Sequence, residues 1–288
     1  MRIDEFLTKF KGKKIFFKPN PGNGGDAIIA YGTIKVFKKL GLDYEIVGKN
    51  SDLKGKDVFY GGGGNLIGEY TNCAQFLSEQ SGCRTLTILP HTVSGHSDVL
   101  KTLRENVTVI CREIKSFEYV KSFGNIGNVL LMDDMALSLE AKDFLFRKTF
   151  INRLIYVTKP KDMLWALYHR KATIGYFLEN RNKNETLNAF RVDVEKTDIA
   201  IPKDNLDLSA LFNYDSSMSN ETLVKRTALL IGGFLNQFEV VNTNRLHICI
   251  TSAILGKKVN FYSNSYWKNE SIYEFSLKER FPRINWIN

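Results

Sequence analysis

Short apolar runs that end in glycine or polar residues alternate, in the first half of the chain, with segments of helical spacing. Residues 27–41 show the clearest helical spacing, with apolar side chains every three or four positions and Gly41 as a stop signal. A second helix is predicted near residues 72–80. The apolar runs predict strands at 14–18, 43–47, 57–60, 85–89, 107–110 and 128–132. Strands that alternate with helices favour an α/β fold, in which helices cover both faces of a parallel sheet.

The second half of the chain repeats this pattern over a shorter length. Residues 180–188 are polar and predict a loop. In residues 190–195 polar and apolar side chains alternate, so the charged ones would share one side of an extended segment. Strands are predicted at 173–178, 238–241 and 259–262, and helices at 219–232, at 248–256 and from Glu270. We therefore expect a second α/β unit.

The net charge of +9 is concentrated between the two halves. Residues 141–171 carry eight Lys and Arg but only two Asp and Glu. A nucleic-acid-binding protein would spread its basic residues over a face or a motif, so we expect no nucleic-acid partner and one local anionic contact. We divide the chain into an N-terminal domain (1–140), a basic aromatic linker (141–171) and a C-terminal domain (172–288).

Aromatic and cationic side chains interleave in residues 144–171. This pattern is typical of amphipathic helices that lie on an anionic membrane surface, although a buried linker helix has a similar composition. Elsewhere the apolar runs are shorter than the ~18 residues of a membrane span, and acidic residues occur early, where a signal peptide would be basic and apolar. We expect a cytoplasmic protein, with peripheral attachment at the inner face of the cell membrane if the first interpretation holds.

The cysteines and the histidines form no recognisable metal motif. Cys73, Cys83, Cys111 and Cys249 include no pair with CxxC spacing, which predicts reduced, mostly buried thiols. We expect no disulfide and no required metal.

Glycines and polar residues gather where the predicted strands end. Residues 19–26 form a glycine-rich turn that matches neither the dinucleotide fingerprint nor the P-loop. Asp26 would either project from the start of the following helix or cap it. Four glycines at 61–64 follow another strand, which indicates a close approach of the backbone to a ligand. Polar residues at further strand ends are Asn65, Glu69, His91, Arg112, Asp133 and Asp134. Ligands bind at this edge of open parallel sheets.

Arg245 and His247 stand two residues apart between a predicted strand and a predicted helix. A guanidinium group binds phosphate or carboxylate with a planar fork, a histidine can add a proton, and a helix N-terminus attracts anions. The alternative is that Arg245 is a surface cation and His247 a core histidine. The residue types alone leave both interpretations open.

Several segments, taken together and in order, resemble the polysaccharide pyruvyl transferase family. They are residues 22–27, 62–66, 89–93, 111–113 with Ser116, 134–137, 191–195, 245–247 and 255–268. The resemblance implies a fold like that of GT-B glycosyltransferases, in which two Rossmann-like domains face each other across a cleft. It also implies that phosphoenolpyruvate is the donor substrate, that no cofactor is needed, and that a sugar receives a cyclic pyruvate ketal while phosphate is released.

The resemblance associates Arg191, Arg245 and His247 with phosphoenolpyruvate. Asp193 and Glu195 are alternatively ion-pair partners of Arg191. Further substrate-binding residues are expected at Asn23, Gly63, Gly64, Asn65, His91, Arg112 and Lys268.

The chemistry of the transfer needs acids and bases at both substrates. We expect His247 to protonate or orient the departing phosphate, and Glu69 or Asp26 to act as acid and base at the sugar. The expected acceptor is a sugar of a surface polysaccharide or of its polyprenyl-diphosphate-linked precursor. Two alternatives are a glycosyltransferase that uses a nucleotide sugar and a glycan-binding protein without activity.

Overall fold

Two parallel sheets organise the chain in the computed structural model, which describes residues 2–48, 51–79, 82–144, 185–212 and 216–287. The strand predicted at 173–178 and nearly all of the basic aromatic linker lie outside these residues, so those predictions stay open. Within the described ranges, each strand pairing is parallel. The α/β fold predicted from the sequence is confirmed at this level.

The first sheet has the strand order β2-β1-β3-β5-β6-β7, with β4 beside β5. Its strands are β1 Lys14–Lys18, β2 Asp43–Ile46, β3 Asp57–Tyr60, β4 Gly63–Leu66, β5 Thr85–Val93, β6 Val107–Cys111 and β7 Asn128–Leu131. β3 pairs with the start of β5 and β4 with its end, so β5 is longer than predicted and β4 continues the path of β3. The four-glycine run joins them, and a Cβ at Gly62 would lie 2.7 Å from the Pro90 carbonyl oxygen. Glycine is therefore needed for this close backbone passage.

The second sheet has the order β11-β10-β9-β8. Its strands are β8 Thr186–Asn188, β9 Val240–Thr243, β10 Lys258–Tyr262 and β11 Ile284–Ile287. β8 lies at the end of the segment predicted as a loop, and that prediction is wrong for residues 186–188, whereas residues 180–184 lie outside the described residues. Asn188 of β8 lies beside Asn242 of β9, which lies beside Asn260 of β10. The side-chain amides of these three residues form hydrogen bonds across the sheet.

Ten α-helices connect or flank these strands in the described residues. They are α1 Ile3–Thr8, α2 Gly24–Leu40, α3 Asn72–Glu79, α4 Ser97–Thr102, α5 Ile114–Lys121, α6 Ala141–Phe144, α7 Leu208–Leu211, α8 Glu221–Leu235, α9 Leu246–Ile254 and α10 Lys268–Ile272. A 3₁₀ helix spans Met135–Ser138, and a π-helical turn spans Tyr273–Leu277. None of the helices in the described ranges has the length and apolar character to cross a membrane.

Helix α2 has strong local signals at both ends. Asn23 accepts a hydrogen bond from the Gly25 N–H at 2.8 Å, and the Asp26 carboxylate accepts one from the Asn23 N–H at 2.9 Å. This reciprocal pair is a capping box, and Gly41 ends the helix with a φ of 66°. The predicted helix is confirmed, and its start moves three residues toward the N-terminus, to Gly24.

Hydrophobic contacts cross the boundary predicted between the two halves. Ile28 of α2 belongs to the same buried cluster as residues of α8, α9 and the second sheet, whereas Val224 of α8 belongs to a cluster of the first sheet. Phe144 is fully buried and lies against Gly232 of α8. Phe144 is therefore a core residue and is not available to a membrane surface. The domain boundaries and the facing two-domain arrangement stay predictions.

Candidate functional site

A cavity of about 650 Å³ opens where strands of both sheets end. From the first sheet it is lined by Lys18, the last residue of β1, by Gly64 and Asn65 of β4, and by Arg112, which follows β6. From the second half of the chain the cavity receives side chains that follow β8, β9 and β10. Nine of the predicted site residues line it: Asn23, Asp26, Gly64, Asn65, Arg112, Arg191, Arg245, His247 and Lys268.

Arg112, Asp134 and His247 meet at the inner wall of this cavity. Arg112 donates from Nη1 to Oδ2 of Asp134 at 2.6 Å and from Nε to Thr92 at 2.9 Å. The same Asp134 oxygen lies 3.4 Å from Nε2 of His247. Burial favours a higher pKa for Asp134, but the charges of His247 and Arg112 outweigh it and hold that pKa well below its usual range. Asp134 is therefore an ionised carboxylate in contact with both side chains.

Arg191 is held by two carboxylates of its own loop. It donates to Asp193 from Nε at 2.7 Å and to Glu195 from Nη1 and Nη2, each at 2.8 Å. Residues 193–195 form a turn and not the extended segment considered above. The alternative in which Asp193 and Glu195 pair with Arg191 is confirmed. Val192 and Val194, which alternate with the charged residues in the sequence, are exposed.

Arg245 is the residue before helix α9 and is also paired. Its guanidinium forms a two-bond contact with Asp207, with Nε at 2.9 Å from Oδ1, and lies 2.9 Å from Asp193. Asp207 was not among the predicted site residues. It caps the short helix α7, and the two-bond contact could be found only from the fold. Arg245 provides no side-chain cap to the first N–H groups of α9, and Leu246 and His247 of its first turn line the cavity.

Lys268 extends the same network from helix α10. Its ammonium contacts the Glu195 carboxylate, and Tyr70 donates to Glu195 at 3.0 Å. Burial lowers the pKa of Lys268 to about 8, although the Glu195 charge opposes the shift. Burial also acts to raise the pKa of Glu195, but Lys268 and Arg191 outweigh it and hold that pKa below its usual range. Three cations, Arg191, Arg245 and Lys268, thus face the three carboxylates Asp193, Glu195 and Asp207.

Asp26 both caps helix α2 and lines the cavity. Besides its capping bond, it accepts a hydrogen bond from the Asn20 amide at 3.0 Å. Burial raises the pKa of Asp26 above its ordinary value, against the capping bond and the charges of His247 and Arg112. A carboxyl group with a raised pKa is suited to exchange protons with a ligand. Both sequence interpretations of Asp26, cap and cavity residue, therefore describe the same side chain.

Three predicted site residues do not line the cavity. Glu69 is exposed, because it follows Gly68 outside the end of β4. Its prediction as an acid and base at the sugar is therefore corrected: Glu69 does not reach the cavity, whereas Asp26, the other predicted carboxylate, lines it. Gly63 lies behind the wall, where a Cβ would meet the Asn20 amide and Asp26.

His91 is fully buried behind Asn65 and supports the wall without lining it. Its Nε2 accepts a hydrogen bond from the Asn65 N–H at 3.2 Å. Burial, helped by the charge of Arg112, lowers the pKa of His91 to about 3, so the ring is neutral and can accept this bond. His91 is therefore corrected from a substrate-binding residue to a support of strand β4 at Asn65.

One wall of the cavity was missed at the sequence level. Helix α3 contributes Asn72, Gln75, Phe76 and Glu79, whose spacing places them on one face of the helix. Tyr60, at the end of β3, packs against Phe76 with ring centroids 4.8 Å apart. The helix itself was predicted, but its polar residues resemble an ordinary solvated face. Only the cavity distinguishes them.

The described residues contain no cluster of metal-ligating side chains. No group of three or more His, Cys, Asp or Glu side chains there has the geometry to hold an ion. The four cysteines are free and buried, as predicted.

The fold and the cavity define an α/β protein with a site of paired cations and carboxylates at the strand ends of two parallel sheets. The sequence profile of the polysaccharide pyruvyl transferase family matches residues 23–266. The chain therefore belongs to the polysaccharide pyruvyl transferase family. This membership supports a transferase in polysaccharide biosynthesis with a sugar acceptor.

A solved structure has a similar fold over nearly the whole chain. It is the crystal structure of a functionally uncharacterized protein from Klebsiella pneumoniae subsp. pneumoniae, with 30% sequence identity and a TM-score of 0.79. The match covers 99% of this chain and 96% of the other. No curated protein matches the sequence.

Proposed function

We propose that the protein transfers a pyruvyl group from phosphoenolpyruvate to two hydroxyls of one sugar, forming a cyclic ketal and releasing phosphate. The observation that carries this proposal is the position of Arg191, Arg245, His247 and Lys268, which line one cavity with Asp26 of the other half. A donor with a phosphate and a carboxylate needs several cations, and a sugar needs an acid and base beside them. Family membership supports the same reaction class.

The donor would bind at the start of helix α9. Arg245 precedes that helix and His247 lies in its first turn, and the side chain of Arg245 does not cap the N–H groups of the turn. Helix N-termini attract phosphate, and guanidinium groups bind it with two hydrogen bonds. Arg191 and Arg245 already bind carboxylates of the protein. The anionic groups of phosphoenolpyruvate would therefore either displace Asp193, Glu195 or Asp207 from these arginines or bind to N–H groups that those carboxylates leave free. This internal competition limits how tightly phosphate is retained after the reaction.

The transfer takes place in two additions at C2 of the donor. The first sugar hydroxyl forms a bond to C2 while its proton goes to a base and the methylene carbon gains a proton to become a methyl group. Phosphate then departs with its bonding electron pair, and the second hydroxyl closes the ketal ring and releases its proton. The net result consumes one phosphoenolpyruvate and one diol and yields one ketal and one phosphate.

Two titratable groups on the cavity wall are placed to serve these steps. Asp26, with its raised pKa, is the proposed acid and base at the sugar. His247 is the proposed partner of the departing phosphate. Arg112 also lines the cavity and is a further proposed hydrogen-bond donor to the substrate, with its guanidinium held in place by Asp134.

The acceptor would lie against helix α3. Its cavity face combines amides, a carboxylate and an aromatic ring in Asn72, Gln75, Glu79 and Phe76. Hydroxyl groups pair with amides and carboxylates, and the apolar face of a hexose packs on aromatic rings. A polyprenyl-diphosphate-linked sugar is the proposed form of the acceptor, delivered at the inner face of the cell membrane.

Ligand-dependent thermal stability distinguishes this donor from a nucleotide sugar. A ligand that binds only the folded state raises the melting temperature. Phosphoenolpyruvate is expected to raise that of the wild type, whereas a panel of nucleotide sugars should leave it unchanged. Arg245→Ala and His247→Ala should lose the shift. The exposed Arg104, which is outside the cavity lining, offers Arg104→Ala as a charge-matched control that keeps it. A shift with nucleotide sugars alone would favour a glycosyltransferase.

A further inference from the structure

Asp134 lies behind the cavity wall; the sequence predicted it as a polar residue at a strand end, with helix capping as the alternative. It does cap the 3₁₀ helix, since its Oδ1 accepts a hydrogen bond from the Ala136 N–H at 2.8 Å. Its other oxygen has a second set of partners, Arg112 and His247. We propose that Asp134 is a positioning residue that fixes the ring orientation and the tautomer of His247, an inference that rests on the proposed function for its effect on turnover.

The Asp134 carboxylate is held rigidly. Its side chain has no solvent exposure, and both oxygens are engaged, one with the Ala136 N–H and the other with Arg112 at 2.6 Å. A buried carboxylate bound to a guanidinium and a backbone N–H has little freedom to turn. It therefore presents Oδ2 to Nε2 of His247 in a fixed direction, at 3.4 Å.

The His247 ring is confined from its other edge by helix α2. A Cβ built on Gly25 would lie 2.9 Å from Nδ1 of His247, so glycine at this position leaves the space that the ring occupies. Nε2 therefore faces Asp134, and Nδ1 faces the first turn of α2, next to Asn23 and Asp26 of the cavity wall. The two edges of the ring have different neighbours, which defines different chemical roles for its nitrogens.

An ionised carboxylate can only accept, so the neutral ring carries its proton on Nε2. Nδ1 is then the nitrogen with a free electron pair, and it is the atom that gains a proton when the ring becomes cationic. Asp134 also separates two positive groups, because it lies between the Arg112 guanidinium and His247. Without its charge, a cationic His247 would face Arg112 uncompensated.

Nitrogen-15 NMR of histidine-labelled protein tests the tautomer without any substrate. The chain has four histidines, and His247→Gln identifies the signal of His247. In the wild type, at a pH where the ring is neutral, the proton is expected on Nε2. A proton on Nδ1 would overturn the inference without the need for any variant of Asp134.

Asp134→Asn then tests the role of the carboxylate, with Asp133→Asn as its matched control. Asp133 is the adjacent acid, but its side chain is 49% exposed and contacts Ser276 and Arg280. An asparagine at position 134 can donate to Nε2 and stabilise the other tautomer, as in the serine protease triad. We expect Asp134→Asn to move the proton to Nδ1 and to lower kcat by roughly 100-fold, with KM for phosphoenolpyruvate within about twofold.

The positioning role of Asp134 and the proposed transfer reaction would fail in different measurements. Asp133→Asn should keep the wild-type tautomer and turnover. If Asp134→Asn and Asp133→Asn have the same His247 tautomer, or the same turnover, the positioning role of Asp134 is wrong. If no wild-type protein consumes phosphoenolpyruvate with any acceptor, the proposed function fails, while the NMR result still decides what Asp134 does to His247.

Discussion

The basic residues that the sequence associates with an anionic donor are already bound to acids of the protein. Arg191 binds Asp193 and Glu195, and Lys268 shares Glu195 with it. Removing one member of such a buried group leaves a charge uncompensated, which costs about 3–5 kcal/mol, so neutral substitutions there test stability together with binding. Changes that keep the charge are more informative.

The pKa of Lys268 allows its charge to be tested without any substitution. Because burial lowers this pKa to about 8, Lys268 loses its positive charge as the pH rises through that value. The affinity for phosphoenolpyruvate should therefore fall roughly tenfold between pH ~7 and pH ~9, which corresponds to the loss of one charge-assisted hydrogen bond. Isothermal titration calorimetry measures the change.

Lys268→Arg is the control for this pH dependence, since arginine keeps its charge over the whole range. The variant should bind with little change between the two pH values. A wild-type affinity that stays constant, or an equal decline in Lys268→Arg, would show that Lys268 does not contact the donor.

At the scale of elements, helix α2 connects the cavity to the core. Its first turn holds Asn23, Gly25 and Asp26 at the cavity, and its middle packs on the 3₁₀ helix that follows Asp134. A Cβ at Gly32 would overlap the Met135 carbonyl oxygen. The absence of a side chain at Gly32 thus sets the distance between α2 and the segment that carries Asp134.

Gly32→Ala should consequently destabilise the protein. Alanine favours a helix over glycine by about 1 kcal/mol, but a clash with a backbone atom in a packed core costs about 1–3 kcal/mol. We expect a net decrease in the free energy of unfolding of about 1 kcal/mol or more, measured by urea denaturation. Gly48→Ala is the control, because a Cβ there meets no described atom within 4 Å. A Gly32→Ala variant as stable as Gly48→Ala would contradict this account of the packing.

The elements also show what the sequence could and could not predict. The long α2 helix and most strands of the first sheet follow from periodicity and stop signals, and their positions agree with the structure to within a few residues. β8 was missed because polar residues usually indicate a loop, whereas here Asn188 joins an amide ladder across the sheet. Some residues of the family segments line the cavity, whereas others only stabilise the fold. Glu113, for example, caps α5 by accepting a hydrogen bond from the Ser116 N–H and does not line the cavity.

At the scale of the whole molecule, the site depends on contacts between distant parts of the chain. His247 lies in the second half, yet its neighbours Asp134 and Gly25 belong to the first. Strand-end positions predicted that Arg112 and Arg245 would face ligands, but they could not predict the pairing with Asp207 or the exposure of Glu69. Such pairings depend on how the two sheets are arranged, and local patterns carry no information about that.

Release of inorganic phosphate from phosphoenolpyruvate, measured with a panel of hexosides and polyprenyl-diphosphate-linked sugars, tests the central claim most directly. We predict that phosphate appears only when donor and acceptor are both present, in amounts equal to a product whose mass has grown by one pyruvate minus one water. Arg245→Ala, shown by circular dichroism to be folded, should abolish this release, and Arg104→Ala should retain it. A folded wild-type protein that releases no phosphate with any acceptor, but transfers a sugar from a nucleotide sugar, would contradict the account.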